Sequence, residues 1–256
     1  MATYIRLTDY KSSDKKEQEF FNLENRYEAK QENFSKIPGN PIVYWVPDKV
    51  KNIFNFNILN NICPPRAGLS SADNDRFLRY WSEINFFTEM LNVKSREETI
   101  HNKLKWFPHT KGGGVRKWYG NNEFVVNWEN DGQELYDFMP RATIRNPKYY
   151  FQSGFSWSDV GSTIPSFRYQ PIGYISNARG PMIYTENLSI LAQLNSKITI
   201  EILKIISPTL TFNVGEIAKI PIKQSNSILT QQIETLTQQN INISKEEWDS
   251  REKMNS

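Results

Sequence analysis

The chain has 256 residues, 38 % of them hydrophobic and 23 % charged, which suits one large packed domain or a domain with an appendage and excludes general disorder. A single cysteine, Cys63, and two histidines, His101 and His109, exclude a disulfide framework and a cysteine-based zinc site, and point to a reducing cytoplasm. There is no apolar signal core at Met1–Tyr10 and no run near the ~18 apolar residues of a membrane span, so no membrane partner is expected. The net charge is only +3, but it is unevenly spread. Residues 101–120 carry Lys103, Lys105, Lys111, Arg116 and Lys117 with no acid, and residues 141–184 carry Arg141, Arg145, Lys148, Arg168 and Arg179 against Asp159 alone. Residues 1–35 hold six bases and seven acids. The middle of the chain is the expected contact face for a polyanion; a solvated basic surface is the alternative with the same charges.

In chain order, Tyr4–Leu7 reads as a short strand. Asp14 and Glu17 form a capping box that opens a charged helix to about Lys30, with Phe20, Phe21, Leu23 and Tyr27 as its apolar stripe. Ile37-Pro38-Gly39-Asn40-Pro41 ends it and starts a strand over Ile42–Val46, followed by a short helix over Lys49–Phe56. Pro64-Pro65 and Gly68 mark a loop. Arg76–Ile84 is aromatic enough to favour a strand, in which Phe77, Tyr80 and Trp81 should be buried. Strands over Lys103–Phe107 and Val115–Tyr119 flank the loop Lys111-Gly112-Gly113-Gly114. A further strand, Phe124–Trp128, ends at Asn130-Asp131-Gly132, with a helix to about Phe138. Tyr149–Trp157, Phe167–Tyr169 and Gly173–Ile175 read as short strands. The apolar spacing from Leu188 through Leu191, Leu194, Ile202 and Leu203 to Ile206 is that of a buried helix or helix pair. Lys219–Ile222 reads as a last strand, Ser227–Gln239 as an amphipathic helix, and Ser244 with Glu247 as a second capping box. The fold class is α+β: a mixed or antiparallel, strand-rich centre with flanking helices, divided as 1–223 and a C-terminal helical spacer over 224–256.

Catalytic signatures are incomplete. An adenine-N6 methyltransferase holds its flipped base with an Asn/Asp-Pro-Pro-Tyr/Phe loop. Asn146-Pro147-Lys148-Tyr149 has Lys in the third place and no cofactor-binding strand and turn before it, so a structural turn is expected. The glycine run lacks the order of a phosphate loop, although its backbone N–H groups can still approach a nucleic-acid backbone. Asp73-Asn74-Asp75 lacks the glycine and distal glutamate of a calcium loop. No metal site and no catalytic residue is assigned.

The stretch Gly68-Leu69-Ser70-Ser71-Ala72-Asp73-Asn74-Asp75-Arg76-Phe77-Leu78-Arg79 resembles the Gly-Leu-x-Thr-Gly-Asp-Asn-x-x-Phe-x-Arg signature of the DNA-recognition regions of PglX, the adenine-specific DNA methyltransferase family of BREX phage-defence systems, and of related one-polypeptide restriction-modification enzymes. Similar segments follow in order: Ile37–Trp45, Lys105-Trp106-Phe107-Pro108 with Lys111-Gly112-Gly113, Arg116–Asn121, Val125–Trp128, Ser166–Tyr169, and Asn213-Val214-Gly215 before Ile220-Pro221-Ile222. Ala72 and Ser71 depart from the glycine and threonine of the signature; a turn that needs positive φ would be strained by the Cβ of Ala72. The resemblance implies a target-recognition region whose partners are double-stranded DNA, a methyltransferase catalytic domain or subunit and other defence-system proteins. It also implies a catalytic half upstream of residue 1, a chain that continues beyond Trp248–Glu252, and S-adenosylmethionine bound only on that catalytic part.

On that reading Lys103, Lys105, Lys111 and Lys117 suit phosphates. Arg79, Arg116, Arg145 and Arg168 suit guanine edges, and Asn121, Asn122 and Asn127 suit adenine. Glu123 and Asp131 could accept from cytosine N4. Trp106, Trp118, Tyr119 and Trp157 would stack on bases or pack in the core. The five cations of residues 101–120 are expected on one exposed surface, with Arg145 and Arg168 close by. A protein-interaction module using the same aromatic and basic strip is the alternative.

Overall fold

The structure, a computed structural model, describes residues 1–85, 88–160, 164–207 and 211–254, and its fold is α+β. Strand β1 (Ala2–Ile5) pairs antiparallel with β2 (Arg26–Ala29), Ala2 opposite Ala29. Helix α1 (Ser13–Phe20) between them is far shorter than expected, and its cap is Ser12, whose hydroxyl accepts from the Lys15 N–H. None of its residues is buried, and Phe20, Phe21 and Leu23 are exposed. A short helix without a buried face gains little tertiary support, so pairing with β1 takes the chain from Arg26 onward. The expected strand over Ile42–Val46 is instead a turn, Val46 N–H bonding to the Val43 carbonyl, with both valines buried one by one.

Helix α2 (Asp48–Lys51) and a 3-10 turn lead to the two-residue β3 (Asn57–Ile58), then α3 (Leu59–Ile62). The signature region divides into helix α4 (Asn74–Phe77), strand β4 (Leu78–Tyr80) and a 3-10 turn at Trp81–Glu83. Asp73 caps α4 by accepting from the Arg76 N–H at 3.1 Å, which explains the acidic cluster without a cation. Phe77 is buried, Trp81 half-buried and Tyr80 exposed. β4 is an edge strand, and at its end the Tyr80 ring lies against Phe124 rather than in the core.

Helix α5 (Arg96–His101) precedes β5 (Trp106–Thr110) and β6 (Phe124–Asn127); α6 (Glu129–Asp137) follows. With β9 (Ile175–Ser176) these strands form a sheet of order β4-β6-β5-β9, antiparallel except for the β5–β9 pair. Leu78, Val126 and Phe107 share one face and join Trp128, Leu135, Tyr150, Phe151 and Ile175 in one core. The strand expected over Val115–Tyr119 does not form; Trp118 makes one isolated bridge to Arg168. The glycine loop instead opens the long connection, residues 111–123, between the antiparallel strands β5 and β6.

The second sheet, β10 (Met182–Ile183), β7 (Gly154–Trp157) and β8 (Phe167–Gln170), is antiparallel, Trp157 opposite Phe167. Phe155, Trp157 and Phe167 enter a second core with α7 (Leu188–Leu194), α8 (Lys197–Ile206) and α9 (Val214–Ile217). The expected burial of Leu191, Leu194, Ile202 and Leu203 is found there. β11 (Pro221–Ile222) pairs with β3 and so ties the early chain to this core. The last helix, α10 (Ser227–Met254), runs unbroken through Ser244, so no second cap exists; its Ile241 and Trp248 belong to the second core.

The two sheets meet where the chain leaves β9 for β10. Buried His109 contacts the Ile175 carbonyl through Nδ1 at 2.8 Å and the Asn177 amide nitrogen through Nε2 at 2.7 Å. An amide nitrogen only donates, which assigns the ring proton to Nδ1. Thr110 Oγ donates to the Gly180 carbonyl at 2.6 Å and accepts from the Asn177 N–H at 3.1 Å. Gly68 crosses this segment so closely that a Cβ there would lie 1.9 Å from the Ser176 carbonyl oxygen.

Two predictions follow from these local geometries. Ala72 does adopt positive φ, +58°. Ala72→Gly should therefore raise the unfolding free energy by ~0.5–1 kcal/mol, the ~1–2 kcal/mol of relieved Cβ strain less the entropy glycine adds to the unfolded chain; an unchanged or lower urea midpoint would count against strain at this turn. Burial depresses the His109 pKa from 6.5 to about 3, with its carbonyl contact opposing the shift. Below pH 6.5 the unfolded chain then takes up a proton that the folded chain refuses. Stability should be insensitive to this group above pH 6.5 and fall toward pH 3 by about 1.4 kcal/mol per pH unit. Urea titrations across pH on the wild type and His109→Gln test this: equal slopes in the acid range would refute it.

Candidate nucleic-acid interface

The basic residues divide by the elements that carry them. On the β4–β6–β5 sheet the register puts Arg79 and Trp106 on one face. Arg79 Nη1 donates to the carbonyls of Asp75 and Leu78, at 2.5 and 2.6 Å, and its guanidinium sits 5.4 Å from the Trp106 ring centre. The Lys105 ammonium lies 5.9 Å from the same ring, and that of Lys111 lies 4.5 Å from Phe124. Arg79, Lys111, Tyr80 and Phe124 line a shallow cleft of about 400 Å³ with Asp75 and Glu83 on its rim. Partial burial lowers the Lys111 pKa, with Asp75 acting in the opposite sense. Lys105 is exposed, and so is Lys103, which turns the chain before β5 at φ +54°. The result is a strip of cations beside aromatic rings, Lys103 and Lys105 exposed and Arg79 and Lys111 half-buried.

A second cleft, about 470 Å³, is lined by Arg145, Arg179, Ser70, Thr143 and Asp159. Arg145 and Arg179 are exposed, and Arg179 pairs with Asp159 at 2.8 Å. The Arg66 guanidinium stacks 4.3 Å over Tyr149. Arg66 and Arg179 are surface cations that the sequence analysis did not single out for a site; their neighbours Pro65 and Gly180-Pro181 were the available signal that they stand in loops.

The other half of the expected face is turned inward. Arg116 forms an ion pair with Glu247 and lies 4.8 Å over the Trp248 ring, so it fastens α10; Arg116 holds the Glu247 carboxyl below its usual pKa, after the side-chain hydrogen bond it donates. Lys117 donates to the Asn195 carbonyl at the end of α7, 2.7 Å, and burial lowers its pKa. Arg168 is 1 % exposed and Trp157 fully buried, its indole N–H bonded to the Phe212 carbonyl. Tyr119 is buried and Trp118 half-buried. Asn121 donates to the Gly114 carbonyl and Asn122 accepts from Gln170. The single exposed surface expected for Lys103, Lys105, Lys111, Arg116 and Lys117 is therefore not what forms. Residues 116–119 run beside β8, Trp118 N–H bonding to the Phe167 carbonyl and Tyr169 N–H to that of Trp118, so this segment's side chains are taken by the second sheet and the helices.

Asn146 of the incomplete catalytic loop is left-handed, φ +54°, and its amide donates to the Ala67 carbonyl at 2.9 Å; Tyr149 stacks on Tyr184. This segment is a corner, as its missing second proline suggested. Cys63 is buried, and burial pushes its thiol up to about 11, away from the reactive thiolate. Among the described residues no group of acids, histidines and cysteines could hold a metal ion, and no helix is long and apolar enough to cross a membrane.

No protein-family model matches the chain. It is 35 % identical over 268 residues to a protein named adenine-specific methyltransferase PglX of Lacticaseibacillus casei (strain Zhang), an alignment covering 98 % of this chain and 22 % of that protein. It is 34 % identical over 255 residues to adenine-specific methyltransferase BrxX of Escherichia coli O9:H4 (strain HS), covering 96 % of this chain and 20 % of that protein. The chain thus corresponds, almost from end to end, to about a fifth of the length of two adenine-specific methyltransferases.

Proposed function

We propose that this chain chooses the DNA sequence for an adenine-N6 methyltransferase of a BREX-type phage-defence system, the methyl transfer itself being done elsewhere in the enzyme. The observation that carries this reading is the similarity along nearly the whole chain to one fifth of adenine-specific methyltransferases, in a chain whose one near-match to a base-binding loop is a structural corner. The strip of half-buried Arg79, Trp106 and Lys111 with exposed Lys105, and the Arg145 cleft, supply the surface. Lys103, Lys105 and Lys111 neutralise phosphates and set most of the affinity. Arg79 and Arg145 present guanidinium forks to guanine O6 and N7, and Asn121 lies beside the glycine loop for an adenine edge. Trp106 holds Arg79 from below. Arg116, Lys117 and Trp157 serve the scaffold. The partners are double-stranded DNA, the methyltransferase's catalytic part and other proteins of the defence system, and S-adenosylmethionine binds on the catalytic part.

Duplex binding by fluorescence anisotropy across a salt series tests the reading. Lys105→Ala and Lys111→Ala should each weaken all duplexes alike and reduce the log–log salt slope by ~1. Arg79→Ala should cost ~1–3 kcal/mol on the preferred site and relax one base position, read as a changed methylation pattern when the chain acts with a matching catalytic part. Salt-independent binding, or binding indifferent to Lys105 and Lys111, would make this strip a protein-docking surface instead. Calorimetry on the chain alone should give no heat with S-adenosylmethionine; saturable binding at one site would show that the cofactor is held here.

A further inference from the structure

Along β7 and β8 the side chains alternate. Phe155, Trp157 and Phe167 enter the second core, and Ser156, Arg168 and Gln170 point to the opposite face, where they too are buried. Among the described residues Arg168, a cation in that layer, has no counter-ion. Its Nε and Nη1 have no hydrogen-bond partner, and Nη2 makes only a 3.4 Å contact with Ser158 Oγ. Burial, and after it the charge of Arg116, another cation, lowers its pKa to about 10. Asn122 Nδ2 is a second buried donor without a partner, joined to the layer through Gln170 Nε2; Gln170 Oε1 is unpartnered as well. Ser158 donates to the Gly113 carbonyl at 2.9 Å, and a Cβ at Gly112 would lie 3.6 Å from the same hydroxyl oxygen. Gly112 and Gly113 therefore lie next to the serine that contacts Arg168, and they bring no side chains between it and solvent. Beyond them a Cβ at Gly114 would meet nothing within 4 Å.

We infer that Arg168, with Ser158 and the glycine loop beside it, is a binding site for a phosphate-type oxyanion, either a free phosphate or a phosphodiester of nucleic acid. Water could satisfy the idle donors but not the charge. An oxyanion does both, and a guanidinium fork matches its paired oxygens. It would also relieve the repulsion between Arg168 and Arg116, whose own carboxylate partner, Glu247, lies on α10. Arg168 is thereby assigned to an anion in place of a guanine edge. The inference stands on the buried layer and does not depend on DNA recognition.

The test uses the full chain and inorganic phosphate, with chloride at matched ionic strength as control. Phosphate should raise the thermal midpoint saturably, by about 2–4 °C at high occupancy, and should shift the Arg168 Nε–H resonance in an arginine-labelled sample. Arg168→Met should lose the rise, Arg168→Lys should keep part of it, and Ser158→Ala should weaken the apparent affinity. If Arg168→Met does not fold, the resonance of the wild type and the Ser158→Ala titration decide. A midpoint and a resonance that respond no more to phosphate than to chloride would overturn the site. A short duplex distinguishes the sources. If it moves the same resonance and competes with phosphate, the ligand is the nucleic-acid backbone; if it binds without moving that resonance while phosphate does, the ligand is a free anion. A chain that binds phosphate here and no duplex at all would sink the DNA reading and leave this site standing.

Discussion

The run from Ile175 to Ile183 starts as the parallel edge of one sheet and ends as the edge of the other, so it joins the two sheets directly, beside the contacts that residues 116–119 make with β8. Its hold is polar. The His109 ring, the Thr110 hydroxyl and the Asn177 side chain and N–H form one buried set of hydrogen bonds around it. Such a set is strong when complete and costly when one member is lost, because each remaining group is then buried without a partner. The two apolar cores on either side supply most of the burial energy, but burial is nondirectional. The hydrogen bonds at the crossing are what select one arrangement.

The same geometry decides what the cations do. Lysine and arginine clustered in a sequence suggest a polyanion surface, yet a cation near a helix end or a carboxylate is equally at home inside a fold. Lys117 donates to the carbonyl of Asn195, the residue that caps α7, an ordinary use of a basic side chain at a C-terminus. Arg116 combines a carboxylate with an indole face, and together with Lys245 over Tyr119 it attaches the long last helix to the segment after the glycine loop. Arg79, Lys105 and Lys111 differ in forming no ion pair among the described residues; the aromatic rings beside them at the sheet hold the charge in place without neutralising it. Of the acid-free run, then, one part is available to a ligand and another is spent on assembly.

Much of the architecture could be read along the chain. Phe124–Asn127, the helices from Leu188 to Ile206 and the turn at Asn146-Pro147 declare themselves through strand alternation, helical spacing and turn chemistry, which are local. The departure of Ala72 from a glycine signature correctly marked a left-handed residue, since only a Cβ makes that conformation expensive. The positions of β3 and β10 were harder, because two-residue strands have no period; they exist only because partners distant in sequence lie beside them.

What the sequence by itself determined was the α+β class, the identity of the helices that make a core, and a basic, aromatic middle. Which of those basic residues face solvent was decided by tertiary structure. Phe167-Arg168-Tyr169-Gln170 alternates as a strand with one dry and one wet face should, and it places Arg168 on the face expected to be wet. The chain from Gly112 to Asn122 lies beside that strand and helps close the wet face, so that a residue expected at the surface is 1 % exposed. Alternation tells which side chains share a face of a sheet; it carries no information about whether another segment lies on that face, because the segment is placed by contacts between residues some fifty positions apart.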